Sequence, residues 1–411
     1  MTDQLTNQSQ EADPTLWERA SQAGLSRRSF MRLLSLGGSA AVLMACAPQG
    51  ASTKNEASEE PAKWAKDPAP FNELGGNLEA KLEDQMGLIT PNERFFVRNH
   101  VPTPPVDMSS YRLKVEGDAV EKPLELSYDD LLRMPSQTVL SCVECAGNHR
   151  SLFEKVLGEP ASGGQWTTGG VSMAEWTGVS LRTILEMAGV KPNAVDVNVK
   201  GLDTDASEGG FQRAMPLEKA MDPDTILAYA MNGVVLPPDH GYPIRALVPG
   251  WVGGNNIKWV GSLTVSTEKI WSKNNTTSYV MVGDEWPAEP PADGGPITTL
   301  NVRSSLALAW SANLSKGSQV IRGFARSPHG SIAKVEWSAD GGNSWQAAAL
   351  VGPNLKYAWT RFEFTWDAPA GDQTLMTRAT DEAGNSQPDT VPFNAKGYLF
   401  NMAYPHPVKV A

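Results

Sequence analysis

The alternation of hydrophobic and polar positions changes character once along this chain. Between Phe71 and Glu289 two periods are mixed. Tyr111–Gly117 (YRLKVEG) alternates as a half-buried strand running into a turn. Tyr128–Met134 reads as a short helix capped by Ser127, and Leu181–Gly189 as a second, with Gly189 in the stop position. Val195–Gly201 and Arg245–Val248 read as strands. The elements do not repeat as βαβ units, so an α+β domain is expected. After Pro296 a period of two takes over. Gly317–Ala325, Ile332–Ser338, an Asp340-Gly-Gly turn, Trp345–Ala349, Arg361–Trp366 and Thr374–Asp381 follow in order. Short strands at that spacing predict an all-β sandwich of immunoglobulin-like type. The expected division is an α+β domain over 69–295 and an all-β domain over 296–411.

The first 68 residues fit neither pattern. Leu33–Met44 is apolar but too short to span a bilayer as a stable helix. It follows Ser26-Arg27-Arg28-Ser29-Phe30-Met31, which resembles a twin-arginine (Tat) export signal. Leu43-Met44-Ala45-Cys46 resembles a lipobox, which would leave a lipid-anchored Cys46. A small-residue cleavage site beside an unrelated cysteine fits the same letters. Residues 47–68 are polar, proline-bearing and aperiodic, and read as a tether. An exported protein, periplasmic or held on the outer face of the cytoplasmic membrane, is the expectation.

Composition narrows the class. The chain has 411 residues, enough for two domains, and its 41% hydrophobic and 20% charged content is that of a globular protein. A net charge of −11 argues against nucleic acid as a partner. No G-x-G-x-x-G or Walker motif follows a strand, which removes the usual nucleotide sites.

The chemistry concentrates in Ser141–Arg150, SCVECAGNHR, which holds two of the three cysteines. Haem attachment needs a histidine where Ala146 stands. Zinc needs a second ligand pair that the chain lacks. A redox pair, a short disulfide and two buried apolar thiols remain open. The residues after Cys145 favour a further reading. A glycine for close approach, an amide and then Arg150 suit a thiolate beside a soft or high-valent metal and an oxyanion.

Cys145-Ala-Gly-Asn-His-Arg150 resembles the C-A-G-N-x-R hallmark of the sulfite oxidase family of molybdenum enzymes. The resemblance extends over residues 71–404 in order. It includes Phe95-Phe-Val-Arg-Asn-His100, Gly201-Leu-Asp-Thr-Asp205, Leu227–Arg245, Val248–Trp259 and Val335–Trp345.

The family likeness implies that Cys145 is the protein ligand to molybdenum, with Cys142 a buried thiol. It implies a pterin cofactor held by Phe96, Arg98, Asn99, His100, Asp203, His240, Arg245, Asn256, Ile257 and Lys258. Arg98 and Arg150 would bind the anion, and Trp166 and Tyr279 would line its pocket. His406 is the nearest counterpart of a further pocket arginine near the carboxyl terminus, and His149 has no assigned role beyond packing. The second domain, which shows no catalytic cluster of its own, would serve packing or homodimerisation. The activity implied is oxidation of sulfite to sulfate. With no haem motif in the chain, electrons would leave to an external acceptor such as a c-type cytochrome. A sulfane-dehydrogenase-like substrate is the alternative, and a cofactor-free binding lipoprotein a remote third.

Overall fold

The computed structural model describes residues 64–411. The segment expected to be an export signal, Cys46 and most of the expected tether lie outside the described residues.

The first part is built on two five-stranded sheets. One is ordered Leu124–Leu126, Leu113–Glu116, Val260–Ser266, Asp196–Gly201, Gln212–Pro216. The other runs Val234–Val235, Ile226–Met231, Val171–Ser180, Ser136–Glu144, with Arg245–Leu247 also paired to Ile226–Met231. Leu113, Val115, Val197, Val199, Leu263 and Val265 alternate inward along the first sheet. The helix Leu181–Ala188 closes their core by burying Leu181, Ile184, Leu185 and Ala188 on one face. It ends where Gly189 turns left-handed at φ 66°. The helix Tyr128–Arg133 opens with a capping box. Ser127 Oγ accepts from the Asp130 amide, and the Asp130 carboxylate accepts from the Ser127 amide at 2.9 Å.

The second part is two sheets sharing one core. A four-stranded sheet holds Arg303–Leu306, Gly317–Arg326, Thr360–Ala368 and Ala349–Val351. A five-stranded sheet holds Ala312–Leu314, His406–Val410, Gly371–Asp381, Ile332–Ser338 and Gln346–Ala347. Ile321, Phe362 and Phe364 of the first meet Val335, Leu375 and Val408 of the second. Trp337 stacks on Phe364 across the layer at 4.3 Å.

Two sequence expectations change here. Ala65 and Lys66, placed in the tether by composition, are docked. Their backbone amides donate to the Asp239 carboxylate at 2.8–2.9 Å. His406, expected near the substrate pocket, lies instead in a strand of the second part. It is buried edge-on against Trp310 at 5.2 Å, with Nε2 on the Ala309 carbonyl at 3.1 Å. The register of the His406–Val410 strand, set by its pairing with Gly371–Leu375, carries the side chain into that core.

Candidate active site

Cys145 is the first residue beyond the Ser136–Glu144 strand, whose nine residues pair with Val171–Ser180. Its amide donates to the Gly170 carbonyl at 2.8 Å, and its carbonyl accepts from the Asn148 amide at 2.9 Å. The thiol is therefore fixed by backbone on both sides. Cys142, three residues earlier, is buried with Sγ 3.6 Å from Met173 Sδ, and burial pushes its pKa up to about 12. The two thiols are free, so no disulfide links them.

Two clefts meet at Cys145. The first, about 690 Å³ including space open to solvent, is lined by Phe96, Arg98, Asn99, His100, Asp203, His240, Arg245, Asn256, Ile257 and Lys258, every residue the sequence assigned to the cofactor. The second, about 730 Å³, is lined by Arg98, Arg150, Trp166 and Tyr279, the four residues assigned to substrate. Cys145, Arg98 and Tyr279 border both.

The first cleft is rich in donors. Arg245 is buried over the Trp176 ring at 4.8 Å and gives Nη1 and Nη2 to the carbonyls of His240 and Asn256 at 3.1 and 3.0 Å. Its buried Nε has no protein partner, and burial pushes the guanidinium pKa down to about 9. Lys258 Nζ donates to the Asp239 carbonyl at 2.8 Å and to Asn99 Oδ1. Desolvation, then Arg245, push the Lys258 pKa well down. His240 is buried and held neutral by desolvation and by Lys66, Arg245 and Lys258. His100 is exposed at the cleft and stacks on Phe211 at 4.5 Å. Desolvation in the cleft, with Arg98, Lys258 and Lys273, lowers its pKa. Asp203 accepts from the Phe211 amide at 3.0 Å, and burial raises its carboxyl pKa. Asn256 spends its amide on its own loop: Oδ1 takes the Val248 amide at 2.8 Å and Nδ2 reaches the Val252 carbonyl at 3.2 Å. It shapes the cleft by bracing this loop.

Lys66 was missed by sequence reasoning because its partners are remote. Nζ donates to the carbonyls of Asn92 and Phe95 at 2.7 and 2.9 Å and contacts His240 Nε2 at 2.8 Å. Burial, opposed by Asp239 and Glu93, lowers its pKa to about 8, so it remains an ammonium at neutral pH. His240 Nε2 lies between the Lys66 amine at 2.8 Å and the Asn92 carbonyl at 3.4 Å.

The second cleft is cationic. Arg150 Nε and Nη1 are pinned by the carbonyls of Lys396 and Gly164 at 2.9 and 2.8 Å, with the guanidinium 5.0 Å above the Tyr398 ring. Gly147 and Gly163 make this possible, since a Cβ on either would lie 2.5 or 2.8 Å from the guanidinium. Tyr279 stacks on Tyr398 at 5.6 Å, and the buried Arg213 lies 5.1 Å over its ring. Burial pushes the Tyr279 pKa up to about 12. Gly254 admits that ring, because a Cβ there would sit 2.9 Å from Tyr279 Cε1. Trp166 packs edge-on against Phe96 at 5.9 Å. The third cation lining this cleft is Lys396, which the sequence reading passed over in favour of His406.

The second part of the chain also grips the Cys145 turn from behind, beyond the packing role expected of it. Glu144, fully buried, receives Arg303 Nη1 and Arg326 Nε, both at 2.6 Å, and Asn148 Nδ2 at 3.0 Å. Burial raises a lone carboxyl, but the two arginines outweigh it and hold Glu144 ionised. His149 Nε2 meets Ser305 Oγ at 3.0 Å.

The donor set fits a pterin bearing phosphate and a thiolate-ligated metal. There is one thiol at the junction of the clefts, a buried guanidinium with a vacant donor, and the Lys258 amine. Cys145 would hold the metal, while Arg245 and Lys258 suit the phosphate. No cluster of three or more His, Cys, Asp or Glu for a bare ion occurs among the described residues.

Comparisons with known proteins agree. Residues 100–274 match the oxidoreductase molybdopterin binding domain, and 296–411 match the Mo-co oxidoreductase dimerisation domain. The chain is 36% identical over 329 residues to mitochondrial sulfite oxidase of Rattus norvegicus, covering 76% of this chain and 60% of that protein. It is 36% identical to sulfite oxidase of Gallus gallus, covering 76% of this chain and 71% of that one. Among solved structures it is similar to the sulfane dehydrogenase SoxCD from Paracoccus pantotrophus, with TM-score 0.70, 29% identity, and coverage of 86% and 89%. This chain therefore belongs to the sulfite oxidase family of molybdenum-cofactor enzymes.

Proposed function

We propose that this protein is an exported sulfite dehydrogenase, oxidising sulfite to sulfate and passing electrons to an external acceptor such as a c-type cytochrome. The observation that carries the reading is the second cleft, which Arg98, Arg150 and Lys396 line beside Cys145, while Arg245 and Lys258 line only the first. An oxyanion entering there meets three cations, while the cofactor lies in the other cleft. When bound, the cofactor supplies the electrophilic metal and a store for two electrons. The chain's own residues orient the anion. Arg150 is already immobilised by two carbonyls, so little ordering entropy remains to be lost when it binds. Tyr279, with its proton held by burial, can donate that proton in a hydrogen bond to the anion.

The twin-arginine segment supports export and Cys46 a lipid anchor. The sandwich of the second part reads as immunoglobulin-like, and the match of 296–411 to a dimerisation domain supports a homodimer. The chain spans 60% of the length of the rat relative, so activity and acceptor rest on assay. Purified protein should reduce cytochrome c with sulfite. Rapid reoxidation by oxygen with every available cytochrome left oxidised would make it an oxidase instead.

The likeness to SoxCD supports a second reading, oxidation of a sulfane sulfur. Turnover of sulfane but not sulfite would select it.

A further inference from the structure

We infer that the second part of the chain sets the electrostatic potential at Cys145 through a buried charge clamp, and that Arg303, Arg326 and Glu144 are positioning residues for the metal ligand. Successive side chains of a strand point to opposite faces. Cys145 accordingly lines the clefts, and Glu144, the residue before it, points the other way, into the second part. There it meets two arginines from two neighbouring strands, Arg303 from Arg303–Leu306 and Arg326 from Gly317–Arg326. All three side chains are at most 5% exposed. The two arginines face each other in register across the strand pair, so the clamp is a fixed feature of that sheet.

The clamp does two things. Arg303 also donates Nη1 to the Asn148 carbonyl at 3.2 Å, and Asn148 closes the turn onto the Cys145 carbonyl, so the ligand's backbone is tied to the clamp at both ends. The clamp also carries an uncompensated positive charge, two guanidinium groups against one carboxylate, with no solvent to screen it. Such a charge behind a thiolate favours the electron-rich states of the centre it binds.

A purely structural clamp and an electrostatic one differ in sign. Glu144→Gln keeps the shape and leaves two cations unopposed; Arg303→Met removes one cation. Both weaken a buried pair, so both lower stability. If the clamp sets the potential, the molybdenum midpoint potentials, read by EPR-monitored redox titration of the holoenzyme, rise in Glu144→Gln and fall in Arg303→Met. Shifts of the same sign, or none in either variant, overturn the inference. Should Arg303→Met lose the metal, Arg303→Lys, which keeps the charge, decides. Metal retained at the wild-type potential in Arg303→Lys supports the clamp, and metal lost from both overturns it. The inference rests on Cys145 ligating the metal. Wild-type protein free of molybdenum would refute that assignment, whereas loaded wild type with variants shifting together refutes only the clamp. Neither outcome depends on which sulfur substrate is oxidised.

Discussion

The turn from Glu144 to Arg150 has two unlike flanks. Towards the clefts it shows a thiol and an arginine, groups whose chemistry is written in their residue type. Towards the second part it shows Glu144, Asn148 and His149, whose partners Arg303, Ser305 and Arg326 come from strands 155 or more positions away. The cleft flank tells what the site can react with. The rear flank tells why the site keeps its shape, and there the second part of the chain acts as a wall of the active site.

The strongest way to break this comparison is at the two cysteines, three positions apart on opposite sides of the divide. Cys145→Ser should leave activity below detection and molybdenum unretained. Cys142→Ser should retain activity near wild type while losing roughly 1–3 kcal/mol of stability, because a hydroxyl replaces a thiol packed on Met173. Equal loss in both, by activity assay and metal analysis, would remove the distinction.

Charge in the second cleft comes next. A charge-assisted hydrogen bond contributes about 1.5–3 kcal/mol, so Arg150→Gln should lower kcat/KM by roughly 10–150-fold. Lys396→Ala should lower it less, about tenfold, because Nζ already donates to the Thr277 carbonyl and offers a single point charge where Arg150 offers a planar fork. His406→Ala should leave KM for sulfite unchanged, since this ring lies in the second core.

Gly254→Ala sharpens the geometry. The added Cβ meets the Tyr279 ring at 2.9 Å, so the ring must move. A severalfold loss in kcat with stability reduced by about 1–3 kcal/mol is expected from overpacking, read by kinetics and urea titration.

The smallest effect concerns the rear flank. His149 is buried with its pKa held well below 6.5, by desolvation first and then Arg303 and Arg326. The unfolded chain takes up a proton near pH 6.5 and the folded one does not, so stability should fall as pH drops below about 6.5, by ~1.4 kcal/mol per pH unit for this ring. His149→Asn should flatten that slope in urea titrations at stepped pH. Asparagine tolerates the left-handed backbone at position 149, where φ is 73°.

These contrasts also mark how far the sequence could be read. Helices at 128 and 181 and the strands after 317 were legible because their signals are local: a cap, a glycine stop, a period of two. Cys145, Arg98, Arg245 and Lys258 were legible because they sit in a recognisable order. Lys66 was not, since a lysine among tether residues carries no sign of the carbonyls it will meet. Lys396 was not, because nothing local marks it and His406 stood nearer the expected position until strand register buried that ring. Arg303 and Arg326 look like exposed strand charges until the Cys145 turn is laid against them.

The account stands most directly on one spectrum: EPR of anaerobically purified protein, from a host that supplies the cofactor, before and after adding sulfite. The account predicts a paramagnetic molybdenum signal that appears with sulfite and is missing in Cys145→Ser. Bound molybdenum that stays silent to sulfite would contradict the proposed reaction, and protein without molybdenum would contradict the assignment of Cys145 itself.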